Sequence, residues 1–124
     1  MNNKINILIV EDDVVFCKML SKFFGKNGFL THDSQSVDEA FEILQQNTID
    51  IAIVDYRLPG KNGLELLAWI KKEKPAVKVV IVSRVNEKEI SDKAYELGAE
   101  EYITKPINPT ALLEKIKAIK TTKA

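Results

Sequence analysis

Three short runs of almost wholly apolar, mostly β-branched residues constrain this chain more than any other feature: INILIV (5–10), DIAIVD (50–55) and VKVVIVS (77–83). They show little polar alternation, which is the pattern of strands covered on both faces in a parallel sheet. Two weaker runs, FLTHD (29–33) and EYIT (101–104), bring the set to five. Each is followed by a stretch with helical spacing. The first such stretch carries Phe16, Leu20, Phe23 and Phe24 and has stop candidates at Gly25 and Gly28. The second opens on Ser36 and Glu39, at capping-box spacing, and continues with Ala40, Ile43 and Leu44 on one face. The third holds Leu64, Leu67 and Ile70 and must stop before Pro75. The fourth holds Ile90, Ala94 and Leu97 and closes at Gly98. The fifth starts at Asn108 and Pro109, a cap followed by a first-turn proline, and presents Leu112, Leu113, Ile116 and Ile119. The expected fold is α/β: five βα units in a doubly wound, five-stranded parallel sheet with right-handed crossovers and helices on both faces.

The length of 124 residues suits one domain, 1–124, with 120–124 read as a fraying helix end or the start of a linker. Apolar residues make up 45%, enough for a core without disulfides or structural metal. The 18 basic and 18 acidic residues cancel, which argues against a general nucleic-acid or anionic-membrane binder. Cys17 is the only cysteine, so no intrachain disulfide can form and a reducing cytoplasm is the expected location. The opening MNNKINILIVEDD has no long apolar core or small-residue cleavage site, so no signal peptide is expected. No apolar run reaches the ~20 residues of a membrane span.

In open α/β sheets, ligands bind at the carboxyl ends of the strands. The residues that follow the apolar runs there are Glu11, Asp12 and Asp13, then Asp55, then Ser83, then Thr104, Lys105 and Pro106. An acid after a strand is often a helix cap, and Asp13 divides evenly between that role and the site. Asp55 is poorly placed to cap, because the next helix begins near Asn62 or Gly63. Clustered carboxylates repel one another and are costly to bury unless a cation joins them. Lys105 supplies one charge. A hard divalent cation supplies more, and Mg²⁺ is commonly held by one or two carboxylates with waters and phosphate oxygens. The residues therefore point to an Mg²⁺ site with one carboxylate free to react. A phosphate-cradling loop is not indicated, since the first loop is acidic and neither G-x-G-x-x-G nor a Walker pattern occurs.

The motifs LIVEDD, DIAIVDYRLPGKNGLELL, VIVS and GAEEYITKPI, in this order across essentially the whole chain, resemble the receiver domain of two-component response regulators. The resemblance implies strand order 2-1-3-4-5, as in flavodoxin-like sheets. It implies that Asp55 accepts a phosphoryl group from a histidine kinase or histidine phosphotransfer protein. Glu11 and Asp12 match the acidic pair that holds Mg²⁺, with Asp12 the direct ligand, Glu11 acting largely through water, and the Arg57 backbone carbonyl a further ligand. Ser83 matches the hydroxyl that bonds the phosphoryl group. Lys105 matches the family's lysine, with a cis Lys105–Pro106 bond, and Tyr102 matches the aromatic switch position, whose ring turns inward once Ser83 moves. An aspartate is an anion at neutral pH, so the acceptor needs no general base. The resemblance also implies a signalling switch rather than an enzyme, a downstream partner on the fourth helix, fifth strand and fifth helix, and a monomer or phosphorylation-dependent dimer. It leaves open a stand-alone receiver or the receiver of a longer regulator or hybrid kinase.

Other classes fit less well. An Mg²⁺-dependent aspartyl-nucleophile phosphohydrolase usually carries a second acid two residues after the nucleophile, and Arg57 stands there. A flavodoxin-like mononucleotide binder is disfavoured by the acidic first loop, and a degenerate receiver by the complete residue set. His32 reads as a surface residue, Cys17 as packing, Trp69 as partly buried structure, and Lys115, Lys117, Lys120 and Lys123 as a solvated tail. Arg84 departs from the family pattern, where alanine or glycine follows the hydroxyl residue. Two readings apply: a solvated side chain loosely paired with Glu87 or Glu89, or a gate residue at the mouth of the site.

Overall fold

The computed structural model describes residues 4–121. Its strands are β1 (Asn6–Val10), β2 (Leu30–Ser34), β3 (Ile51–Asp55), β4 (Lys78–Ser83) and β5 (Glu101–Thr104). They alternate with α1 (Val14–Lys26), α2 (Val37–Gln46), α3 (Gly63–Glu73), α4 (Lys88–Glu96) and α5 (Pro109–Ala118). All pairings are parallel, and the strand order is β2-β1-β3-β4-β5. This is the order expected from the sequence motifs.

The two faces of the sheet explain the apolar runs. Alternate side chains of one strand point to opposite faces. Leu8, Val10, Ala52, Val54, Val79 and Ile81 pack with Ala40 and Leu44 of α2, Leu66, Leu67 and Ile70 of α3, and Ala94 of α4. Ile7, Ile9, Ile51, Ile53, Val80 and Val82 pack with Cys17, Leu20 and Phe24 of α1 and Leu112, Leu113 and Ile116 of α5. The three central strands are thus buried on both sides, and neither face can tolerate a polar residue until the strand ends.

Helix boundaries follow their caps. Ser36 Oγ accepts the Glu39 N–H, while Glu39 Oε1 reaches back to the Gln35 N–H and the Ser36 hydroxyl. Asn62 and Asn108 cap α3 and α5 through their side-chain oxygens. Of the two stops proposed for α1, Gly28 ends it. Gly25 lies inside the helix, whereas Gly28 has φ +94, in the left-handed region that favours glycine. The second strand begins one residue later than the apolar run suggested, because Phe29 is buried in the core beneath α1, edge-on to Phe24. The fifth helix ends at Ala118, and Ile119 follows in extended conformation while still packing on the core. Of the proposed tail, residues 122–124 lie outside the described residues.

Candidate functional site

The sheet's carboxyl edge is built by ladder bonds that run one residue past the strands. Glu11 donates its N–H to Ser34 O (3.0 Å), Tyr56 donates to Val82 O (2.8 Å), and Lys105 donates to Ser83 O (2.7 Å). These bonds hold Glu11, Asp55, Ser83 and Lys105 at one level, from four separate strands. The Lys105–Pro106 peptide is cis. Asp13 turns out to be the α1 cap: its Oδ1 accepts the Phe16 N–H (3.1 Å), and its own N–H donates to Glu11 Oε2 (3.1 Å). Asp55 caps nothing, because α3 starts at Gly63 with Asn62 as its cap.

Glu11, Asp12 and Asp55 each offer a carboxylate oxygen, all within 4.8 Å of one another. Glu11 is 3% exposed and Asp55 8%, whereas Asp12 faces solvent. Lys105 Nζ donates to Glu11 Oε1 at 2.6 Å and to Asp55 Oδ2 at 3.4 Å. The Phe16 ring lies 5.1 Å from the same ammonium. Desolvation in the cluster raises the Asp12 carboxyl above its usual range. The hydrogen bond and charge of Glu11 push the same way, and an Asp12 backbone hydrogen bond and the Lys105 charge oppose them. One lysine does not neutralise three acids.

A cavity of about 190 Å³ opens over this cluster, lined by Glu11, Asp12, Asp13, Asp55, Arg57, Arg84 and Lys105. Beside it lies a larger cleft of about 490 Å³ with Phe16, Pro106 and Ile107 in its wall, and Asp13, Arg84 and Lys105 line both spaces. The Arg57 side chain is exposed, its guanidinium 6.0 Å from the Tyr56 ring. Arg84 is exposed, as its solvated reading has it, but among the described residues it makes no ion pair with Glu87 or Glu89.

Ser83 is fully buried, and its Oγ accepts the Val85 N–H (2.9 Å). Tyr102 is half-buried against the core. Its hydroxyl donates to the Val85 carbonyl (2.5 Å), and its N–H donates to Tyr95 Oη (3.1 Å). The Tyr102 hydroxyl is therefore anchored on the loop after β4 while Ser83 holds the same loop from the other side.

The remaining sequence candidates fall outside the site. His32 is half-buried rather than a surface residue, with Nε2 3.2 Å from Asn6 Oδ1, because β2 pairs with β1 along its whole length. Cys17 is buried, and burial, reinforced by the Asp33 charge, pushes its thiol up to about 11, as suits packing. Trp69 packs on Phe41 with centroids 4.7 Å apart. Lys115 reaches Glu101 at 3.7 Å, so it is not simply solvated, and Lys123 lies outside the described residues. Two residues had no role in the sequence reading of the site and belong to its frame. Phe16 was visible only as a core position of α1. Gly63 donates its N–H to Tyr56 O (2.7 Å) and brings α3 against the end of β3. The glycine directly after a capping asparagine was the available signal.

The profile of the response regulator receiver domain matches residues 7–117. The chain belongs to this family. It is 33% identical over 115 residues to the phosphate regulon transcriptional regulatory protein PhoB of Klebsiella pneumoniae, covering 91% of this chain and 50% of that protein. It is 34% identical over 110 residues to a cyclic di-GMP phosphodiesterase of Thermotoga maritima, covering 89% of this chain and 29% of that protein. A CheY-like receiver domain from Methanospirillum hungatei superposes with a TM-score of 0.88 at 32% identity, over 92% of this chain and 91% of that one. The receiver thus spans half or less of the length of these two curated relatives. It is a receiver domain of two-component response regulators, and these matches do not favour a phosphohydrolase. Receivers of this family act with kinases and with downstream outputs, DNA-binding or enzymatic. Among the described residues, no helix is long and apolar enough to cross a membrane.

Proposed function

We propose that Asp55 accepts a phosphoryl group from a phosphohistidine on a kinase or phosphotransfer protein, and that the receiver switches its α4–β5–α5 face in response. The observation that carries this is a buried Asp55 whose carboxylate meets Glu11, Asp12 and the Lys105 ammonium at one point.

The donor set fits Mg²⁺. It consists of hard oxygen ligands, it carries surplus negative charge, and the carboxyl of its exposed member, Asp12, is raised by desolvation and, behind that, by the Glu11 hydrogen bond and charge. Asp12 and Asp55 are the direct ligands in this reading, with Glu11 behind them and the Arg57 carbonyl completing the protein's share. When bound, Mg²⁺ neutralises charge on the phosphoryl oxygens.

An Asp55 carboxylate oxygen attacks phosphorus in line. The P–N bond to the donor imidazole breaks, its electron pair leaves with the imidazole, and an acyl phosphate forms. Lys105 is positioned by Glu11 and, with two of its three N–H groups on Glu11 and Asp55, keeps the third for a transferred oxygen. Ser83 Oγ accepts from Val85, which leaves its own O–H free to donate to the phosphoryl group. The product carries close to two negative charges where one carboxylate stood. A shift of Ser83 toward it pulls on the Val85 segment, to which the Tyr102 hydroxyl is bonded. That path links the site to β5 and, through Tyr95, to α4. The domain so described is a cytoplasmic switch rather than a turnover enzyme, monomeric or dimerising when phosphorylated.

The test is mass spectrometry after treatment with acetyl phosphate and Mg²⁺, alongside Asp55→Asn. A phosphoryl adduct on the wild type and none on the variant is expected. An unmodified wild type, or an adduct that survives the substitution, refutes the assignment.

A further inference from the structure

Three cations line the cavity over Asp55, and among the described residues only Lys105 is ion-paired with its carboxylates. Lys105 donates to Glu11 and Asp55, and Arg57 lies by the Tyr56 ring. Arg84 is the third. Four carboxylates share its cavity, yet among the described residues it makes no ion pair with any of them. Its backbone is nevertheless fixed. Val85 donates to Ser83 Oγ and accepts from the Tyr102 hydroxyl, so residue 84 is held between anchored neighbours. This puts an uncommitted guanidinium on the rim between the acidic cavity and the 490 Å³ cleft.

We propose that Arg84 is a second phosphoryl-binding cation of this site, closing its guanidinium on the oxygens of the incoming donor and of the aspartyl phosphate. The inference rests on Asp55 being the acceptor. The physical case has two parts. A dianionic donor approaching Glu11, Asp12, Asp13 and Asp55 meets repulsion that Lys105, already shared by two carboxylates, only partly offsets. A guanidinium also presents a rigid planar fork of N–H donors that matches two phosphate oxygens side by side, a fixed geometry that an ammonium lacks. Phosphorylation adds the partner that the resting site does not give Arg84.

The opposite possibility is a steric gate that merely blocks the mouth. The two differ in the sign of one measurement. Initial rates of phosphorylation by acetyl phosphate, and beryllofluoride affinity in Mg²⁺, are compared for wild type, Arg84→Ala and Arg84→Lys. Arg84→Ala is expected to lower both by about fivefold, the factor that corresponds to roughly 1 kcal/mol for a solvent-exposed ion contact. The deficit shrinks as salt rises, and Arg84→Lys recovers part of it. Because the side chain is exposed, the melting temperature stays at the wild-type value. Rates and affinity equal to or above wild type in Arg84→Ala overturn the proposal. A wild type that takes no phosphoryl group overturns the acceptor assignment instead, so the two failures are distinct.

Discussion

Gly63 offers the sharpest test of how the fold builds the acceptor. A Cβ placed on it would sit 2.4 Å from the Asp55 carbonyl oxygen and 3.0 Å from Tyr56 Cα, both backbone atoms. Real Cβ atoms stay beyond 3.0 Å, so Gly63→Ala forces α3 and the end of β3 at least 0.6 Å further apart. No flexible side chain is there to absorb the shift. The same movement stretches the 2.7 Å bond from Gly63 N–H to Tyr56 O. Overpacking of this kind costs about 1–3 kcal/mol. Better helix propensity returns at most ~1 kcal/mol, and less in a first turn. A net loss of about 1–2 kcal/mol is expected in urea unfolding, with a melting temperature lower by roughly 4–8 °C. The strained carbonyl belongs to Asp55 itself, so its carboxylate moves relative to Lys105. Beryllofluoride affinity with Mg²⁺ should fall about tenfold, more than exposed substitutions elsewhere on α3 produce. Wild-type stability and affinity in Gly63→Ala would mean that this close approach does not position the acceptor.

Lys105→Met leaves Glu11 buried at 3% exposure without its counter-ion. It should destabilise the Mg²⁺-free protein by about 3 kcal/mol, with part of the loss recovered by Mg²⁺ in thermal melts. Asp12 has a raised carboxyl pKa in the folded state, so the folded chain holds this proton to higher pH than the unfolded chain does. The cost of its charge is present above the folded pKa and is relieved as pH falls through it. If Asp12 holds Mg²⁺ as proposed, a proton and Mg²⁺ compete for it, so Mg²⁺ titrations should show binding that weakens as pH falls, and Asp12→Asn should flatten that dependence. Tyr95→Phe removes the acceptor for the Tyr102 N–H on edge strand β5. Amide exchange at Tyr102 should accelerate while the β3 amides stay protected, and equal exchange at Tyr102 would refute the contact.

How much of this was legible in the sequence follows from which forces act locally. β1, β3 and β4 were plain because both faces of each are buried, and that requirement writes an unbroken apolar run. β2 was blurred because an edge strand has one neighbour and mixed exposure, which is why Phe29 was counted into it and His32 was placed at the surface. Asp13 was ambiguous for a physical reason: a cap and a metal ligand are both carboxylates after a strand, and only the position of the Phe16 N–H separates them. Asp55 was separable because the gap to Asn62 is too long for capping, and the same gap lets Gly63 reach back to Tyr56. Tyr102 was named by the family motif, but the placement of its side chain lay beyond sequence reasoning. Which rotamer it takes depends on the loop after β4, whose Val85 carbonyl accepts its hydroxyl, and composition does not fix that contact. Arg84 combines both lessons. Its departure from the family pattern was visible in one letter, but whether Glu87, Glu89 or nothing satisfied it depended on the geometry of a pinned loop. The Ser83–Val85–Tyr102 bonds hold Arg84 at the rim and link β4 to β5. If phosphorylation draws on both Ser83 and Arg84, the step that binds the group and the step that reports it share one three-residue segment, and substitutions at Val85 should disturb both together.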